Sequence, residues 1–99
     1  MPRVTYQLRG RLWRYPGPAA WFFLTLPKRQ GAEIRGIFEG LVGGASLPVV
    51  VRVGSTTWKT SIFSDKASRS YVLPVKADVR KAEGLRDGDM VAYDLTVEA

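Results

Sequence analysis

From residue 4 to residue 13, and again from residue 90 to residue 97, apolar side chains recur at every second position. Val4, Tyr6, Leu8, Gly10 and Leu12 fall on one side of the first stretch. Thr5, Gln7, Arg9, Arg11 and Trp13 fall on the other. In the last stretch Val91, Tyr93, Leu95 and Val97 share a side. A period of two marks an extended chain with one buried face, because successive Cβ atoms in a strand point to opposite sides. Both ends of this 99-residue chain are therefore half-buried strands, and the fold between them has to supply the sheet they belong to.

The interior of the chain continues the pattern. Pro16-Gly17-Pro18 reads as a loop, since proline fixes φ and offers no ladder donor. Residues 20–26 read as a second strand; their near-continuous apolarity predicts burial on both faces, or a face covered by a helix. After Pro27 the period changes. Ile34, Ile37, Phe38 and Leu41 stand at i, i+3, i+4 and i+7, which predicts a helix over 28–41 with one apolar stripe. Gly31, Gly36 and Gly40 each weaken that helix by up to ~1 kcal/mol relative to alanine, so it depends on docking against the sheet. Gly43-Gly44 ends it.

Residues 47–53 form a valine-rich strand. Gly54-Ser55 is a two-residue hairpin signal of the II′ kind. Residues 56–63 form its partner, with Trp58, Thr60 and Ile62 on one face and Lys59 and Ser61 outward. A polar loop over 64–68 leads to a strand over 69–75, where Tyr71, Leu73 and Val75 share a side and Pro74 marks a sheet edge or strand end. A short helix spans 76–83, with Gly84 at its C-cap and Leu85 the apolar residue that follows. Residues 86–89 make a tight turn. The expected domain, spanning 1–99, is thus mainly β: six strands in a small closed or partly open barrel, one medium helix and one short one. Closing the sheet would protect its edges from aggregation.

Histidine and cysteine are both absent. That removes disulfides, thiolate nucleophiles, Ser-His-Asp and Cys-His catalysis, zinc sites and imidazole-ligated haem. The carboxylates sit at predicted turns, helix ends or outward strand positions, with no sign of a buried pair of split pKa. No phosphate-binding glycine motif is present: the glycines from 36 to 44 follow a helix, not a strand. A non-catalytic chain without cofactor or metal is expected. An enzyme using carboxylates or lysine alone would need a convergent cluster, such as Asp89 with Lys59, in a deep pocket. The arginines before the apolar run 19–26 give it the look of a signal peptide. The run is short, ends in Pro27-Lys28-Arg29 and lacks a small-residue cleavage site, so a cytoplasmic location without membrane association is expected. No apolar stretch approaches the ~20 residues of a membrane span.

The stretch from Leu85 to Leu95, with Gly88-Asp89 ahead of an alternating strand, resembles the "GD box" of cradle-loop and double-split β-barrels. More of the chain resembles the bacterial family catalogued as domain of unknown function 1905. The matching pieces are Leu12-Trp13, the run from Trp21 to Pro27, Val49 to Val53, and Trp58-Lys59-Thr60-Ser61. Tyr71 to Lys76, Val79-Arg80-Lys81 and Gly88-Asp89-Met90-Val91 follow in order. The resemblance implies a double-split β-barrel of about six strands with a helix packed on it, and no activity. Domains of similar barrel type in transition-state regulators and antitoxins bind DNA as dimers, a fold-level analogy only. The family places a glycine between its fourth and fifth strands; residues 64–69 here contain none.

Charge carries most of what the sequence says about function. The chain has 15 Lys plus Arg against 9 Asp plus Glu, a net +6. All six charged residues among the first 32 are basic: Arg3, Arg9, Arg11, Arg14, Lys28 and Arg29. From residue 77 onward six acidic residues face three basic ones. Arg9, Arg11, Arg14, Lys28 and Arg29 are candidate phosphate contacts, and Trp13, Tyr15 and Trp21 candidate rings for stacking on bases. The same residues also read as a solvated basic face beside ordinary core aromatics, and that plainer reading weighs more. An acidic protein partner, or a second copy whose acidic end meets this basic one, fits the layout too. Gly88 and Asp89 read as a structural turn: glycine permits positive φ and the carboxylate accepts backbone N–H groups.

Overall fold

In the computed structural model, which describes residues 3–42 and 46–98, nine elements follow one another. They are β1 (Arg3–Arg11), β2 (Trp13–Arg14), β3 (Phe22–Thr25), α1 (Lys28–Val42), β4 (Ser46–Val53), β5 (Thr56–Asp65), β6 (Ser70–Pro74), α2 (Ala77–Glu83) and β7 (Met90–Glu98). All seven strands lie in one antiparallel sheet, in the order β1-β7-β4-β5-β6-β3-β2. The sheet curls into a half-barrel. Its two edge strands, β1 and β2, are consecutive in the chain and separated only by Leu12.

Two expectations are corrected here. There are seven strands rather than six, and the wall is an open curl rather than a closed barrel. Both differences arise at Leu12. Its N–H donates to the Asp89 carbonyl at 2.8 Å and its carbonyl accepts from the Gly88 N–H at 2.7 Å, so it pairs with a turn. The chain leaves β7 there and joins β3 one residue later. Gly10 is where β1 comes against β3: a Cβ there would lie 3.4 Å from the Thr25 carbonyl oxygen.

The alternation reaches the core as expected. Leu8, Leu12, Leu24, Leu26, Val49, Val51, Trp58, Ile62, Leu73 and Leu95 are buried inside the curl. The outer face of β1 is exposed at Thr5, Gln7, Arg9 and Arg11. The β4–β5 turn has φ of 57° at Gly54, and Ser55 is not among the positive-φ residues, the sign pattern of a II′ turn. Thr56 Oγ1 donates to Glu83 Oε2 at 2.5 Å, tying that hairpin to α2.

Helix α1 docks across the open side of the curl. Tyr6 of β1 donates to Glu33 Oε1 at 3.1 Å, and the Arg35 guanidinium lies 5.5 Å from the centre of the Tyr71 ring. Among the described side chains the contact stripe is Gly31, Ile34, Arg35 and Phe38; Leu41, also expected on it, lies outside them. Ile37, expected on the stripe, is 40% exposed, because the closest approach is centred on Gly31 against Ser70 and turns Ile37 aside. The expected stop at Gly43-Gly44 lies outside the described residues. Helix α2 buries Val79 and ends on Gly84, whose φ of 64° turns the chain so that the Leu85 N–H donates to the Arg80 carbonyl at 2.8 Å.

The β5–β6 connection contains no glycine, and its left-handed position falls to Arg69. With φ of 56°, this is the one non-glycine residue of positive φ among the described residues. Asp65 supports the turn, its Oδ2 accepting from the Ser68 N–H at 3.2 Å.

Candidate nucleic-acid interface

Residues 20–26 are expected to be buried on both faces, or to have one face covered by a helix. The structure shows neither, since only one side is buried. Leu24 and Leu26 point into the core and Phe22 packs against it, whereas Trp21 is 56% exposed. The strand is short and lies between β6 and the two-residue β2, with no layer over its outer face. Its alternate side chains therefore stand in the open, together with those of β2.

The β2–β3 hairpin sets Trp13 opposite Phe23, and the Tyr15 N–H donates to the Trp21 carbonyl at 2.8 Å one step further out. Trp13, Tyr15, Trp21 and Phe23 thus share the outer face. Trp21 and Phe23 stack with centroids 6.3 Å apart and planes 9° from parallel. Trp13 tilts against Phe23 at 5.2 Å, and Tyr15 meets Phe23 edge-on at 6.3 Å. The Trp13 indole donates to Thr25 Oγ1 at 2.9 Å, which fixes its ring. Tyr15 is 52% exposed. Tyr15, Trp21 and Phe23 enclose a shallow apolar depression of about 290 Å³. The three rings singled out in the sequence are thereby brought together. Phe23 was missed; its parity with Trp21 in a half-exposed strand is the signal that would have found it.

The five cations are less concentrated. Arg9 and Arg11 share the exposed face of β1, on the chain side that leads to Trp13. Arg9 borders a cleft of about 530 Å³ with Gln7, Arg52 and Asp94, where Arg52 is paired with Asp94 at 2.9 Å. Arg11 donates to the Gly88 carbonyl at 2.7 Å. Arg14 has the parity of Phe22, opposite to the aromatic face, and its N–H donates to Asp87 Oδ1 at 3.2 Å. Lys28 and Arg29 are exposed at the start of α1, three and four residues beyond Thr25. No single pocket gathers all five.

The Gly88-Asp89 turn is built as a turn. Gly88 has φ of 91°, and Asp89 Oδ2 accepts from the Arg86 N–H at 2.8 Å. Asp89 is exposed and lines none of the described clefts that Lys59 borders. Among the described residues, no group of three potential metal ligands is found, and no helix is long and apolar enough to cross a membrane.

Residues 9–95 match the model of a family described as domain of unknown function (DUF1905). The chain belongs to this family. A comparison with curated proteins finds no significant match. In this DUF1905 chain, the family match spans both the aromatic hairpin and the turn that braces it.

Proposed function

We propose that this DUF1905 domain is a non-catalytic module that binds single-stranded nucleic acid. Trp13, Tyr15, Trp21 and Phe23 form the stacking face, Arg9, Arg11, Lys28 and Arg29 make phosphate contacts around it, and Arg14 reaches the strand's backbone from the opposite side of the hairpin. The observation that carries this reading is the four-ring cluster on an outer sheet face, with Tyr15 and Trp21 exposed and Trp13 and Phe23 half-buried beside them. Large aromatics left in water on a small domain cost hydrophobic free energy unless a ligand covers them. Base stacking on such rings is worth about 1–3 kcal/mol per base and tolerates any sequence. The net charge of +6 favours a polyanion and predicts strong salt dependence.

Fluorescence anisotropy of labelled oligothymidylate, duplex DNA and RNA, measured from about 50 to 200 mM salt, tests this. Single strands are expected to bind best, with affinity falling steeply as salt rises. The double variant Tyr15→Ala/Trp21→Ala is expected to lose at least about tenfold. Absence of binding at the lowest salt, or a flat salt slope, overturns the reading. A second reading is a protein-interaction module, acting as a homodimer or with an acidic partner. It draws on the apolar depression between Tyr15, Trp21 and Phe23 beside the edge strand β2. Sedimentation and light scattering separate it, since a strict monomer at high concentration removes the homodimer.

A further inference from the structure

The ladder between β5 and β6 ends at Phe63 opposite Val72. Beyond that pair the strands diverge, because Pro74 has no N–H with which to continue it. β5 stays with β4, β6 stays with β3, and a cleft of about 320 Å³ opens between them. Trp21, Phe22 and Trp58 provide its rings, and Lys59, Lys76 and Arg80 its charges. No carboxylate lines it; Asp78, on the first turn of α2, does not.

Arg80 is held in a particular way. Its Cζ lies 3.9 Å from the centre of the Phe22 ring, and its Nε donates to the Val75 carbonyl at 3.2 Å. The guanidinium plane is thereby fixed by a cation–π contact and one hydrogen bond. Among the described residues, no salt bridge neutralises Arg80, Lys59 or Lys76. Three like charges around one cleft repel one another, and an oriented guanidinium with free Nη donors matches two oxygens of a phosphate. The volume is at the lower end of the about 300–1,000 Å³ typical of small-molecule sites, enough for one nucleotide and not for a chain.

We infer that this cleft is a binding site for a nucleoside monophosphate, taken either free or as the phosphorylated end of a strand. The phosphate sits against Arg80, Lys59 and Lys76, and the base lies along the exposed ring of Trp21. Trp21 is common to this cleft and the proposed strand-binding face, whereas Lys59, Lys76 and Arg80 line the cleft and Tyr15 does not, so variants at those positions separate the two sites.

The test is a titration of the full chain with thymidine 5′-monophosphate, followed by the three tryptophan indole N–H resonances. Thymidine and inorganic phosphate serve as controls. Saturable shifts at Trp21 and Trp58 are expected, with Trp13, bonded to Thr25, the least affected. The variant Lys59→Ala/Lys76→Ala changes only exposed residues and is expected to weaken binding at least about tenfold. Arg80→Lys keeps the charge, loses the stacked fork and is expected to weaken it as well. Tyr15→Ala is expected to leave it unchanged. No shift at Trp21 and Trp58, equal binding of thymidine or phosphate alone, or undiminished binding by Lys59→Ala/Lys76→Ala overturns the inference. Comparison of 5′-phosphorylated with 5′-hydroxyl oligothymidylate identifies the source: preference for the phosphorylated strand points to strand ends, and no preference to the free nucleotide. Should Tyr15→Ala/Trp21→Ala bind strands as well as the parent while the parent itself still titrates with the nucleotide, the strand-binding reading fails and the cleft stands.

Discussion

Replacing Gly31 by alanine, beside a matched change at Gly36, isolates the docking of α1. Both glycines lie inside the helix, where alanine is intrinsically better by roughly 0.5–1 kcal/mol. At Gly36 an added Cβ meets nothing within 4 Å. Gly36→Ala should therefore gain most of that preference. At Gly31 the same methyl would come within 2.9 Å of Ser70 Cβ and 3.2 Å of Ser70 Cα, and would run into the Ser70 hydroxyl. The hydroxyl can rotate; the backbone of β6 cannot. Overpacking of this kind costs about 1–3 kcal/mol, which outweighs the propensity gain and leaves Gly31→Ala destabilised by about 1–2 kcal/mol. For a domain of this size that is a fall in Tm of roughly 4–16 °C, against a rise of a few degrees for Gly36→Ala. Urea unfolding followed by tryptophan fluorescence and by far-ultraviolet circular dichroism gives both numbers. Adding Ser70→Gly to Gly31→Ala removes the Cβ and hydroxyl in the way and should recover part of the loss. Equal stability of Gly31→Ala and Gly36→Ala would show that α1 does not rest on β6 at this point.

Three further outcomes follow from single side chains. The Tyr93 hydroxyl is buried with no hydrogen-bond partner among the described residues, so Tyr93→Phe should raise stability by about 1 kcal/mol in urea unfolding, and a loss would reveal a partner for that oxygen. Arg69 holds a left-handed φ of 56°; Arg69→Gly should gain about 0.5–1 kcal/mol despite the looser unfolded chain, whereas Arg69→Ala should not. Burial, with the Glu33 hydrogen bond and charge added, pushes the Tyr6 phenol up to about 12, and burial pushes Tyr93 up as well. Unfolded tyrosines ionise near 10, so this contribution to stability is complete below pH 10 and is lost as pH climbs from 10 towards 12 and above. Urea midpoints across pH 8–12 should fall over that window, and the fall should be shallower in Tyr6→Phe/Tyr93→Phe.

The parts of the fold that were legible in the sequence are those fixed by local periodicity and turn chemistry. Val91, Tyr93, Leu95 and Val97 face the core as their spacing requires; Gly54-Ser55 turns the β4–β5 hairpin, and Gly84 caps α2. The corner at Leu12 was not legible, because the alternation passes through it unbroken: Leu8 and Leu12 keep their side while the backbone exchanges partners. Which partner waits is a long-range fact that parity does not encode. Residues 20–26 misled for a related reason. An apolar run looks the same whether its second face is covered by protein or left in water, and here Trp21 is left out. The stacking rings were legible as candidates by type, yet only the hairpin register put Phe23 among them. The cleft at Lys59, Lys76 and Arg80 depends on where two strands separate, and so had no sequence signature beyond Pro74.

The turn at 86–89 links fold and binding face. It carries no reactive group, yet it organises the corner. Gly88 and Asp89 hold the backbone of Leu12, the Gly88 carbonyl takes the Arg11 guanidinium, and Asp87 takes the Arg14 N–H. Those four hydrogen bonds, at residues 11, 12 and 14, bracket the point where the chain leaves one edge of the sheet and becomes the other. Because side chains alternate on both sides of that corner, bracing it sets Arg9 and Arg11 on the outer face of β1 and Trp13 and Tyr15 on the outer face of the hairpin. An open sheet presents two unpaired edges, here β1 and β2, a liability for association. Joining them through one buried leucine brings the edges together, and it leaves the hairpin's aromatic face turned to solvent. The open curl and the exposed rings are in this sense one structural decision, taken at Leu12 and enforced from residues 86–89.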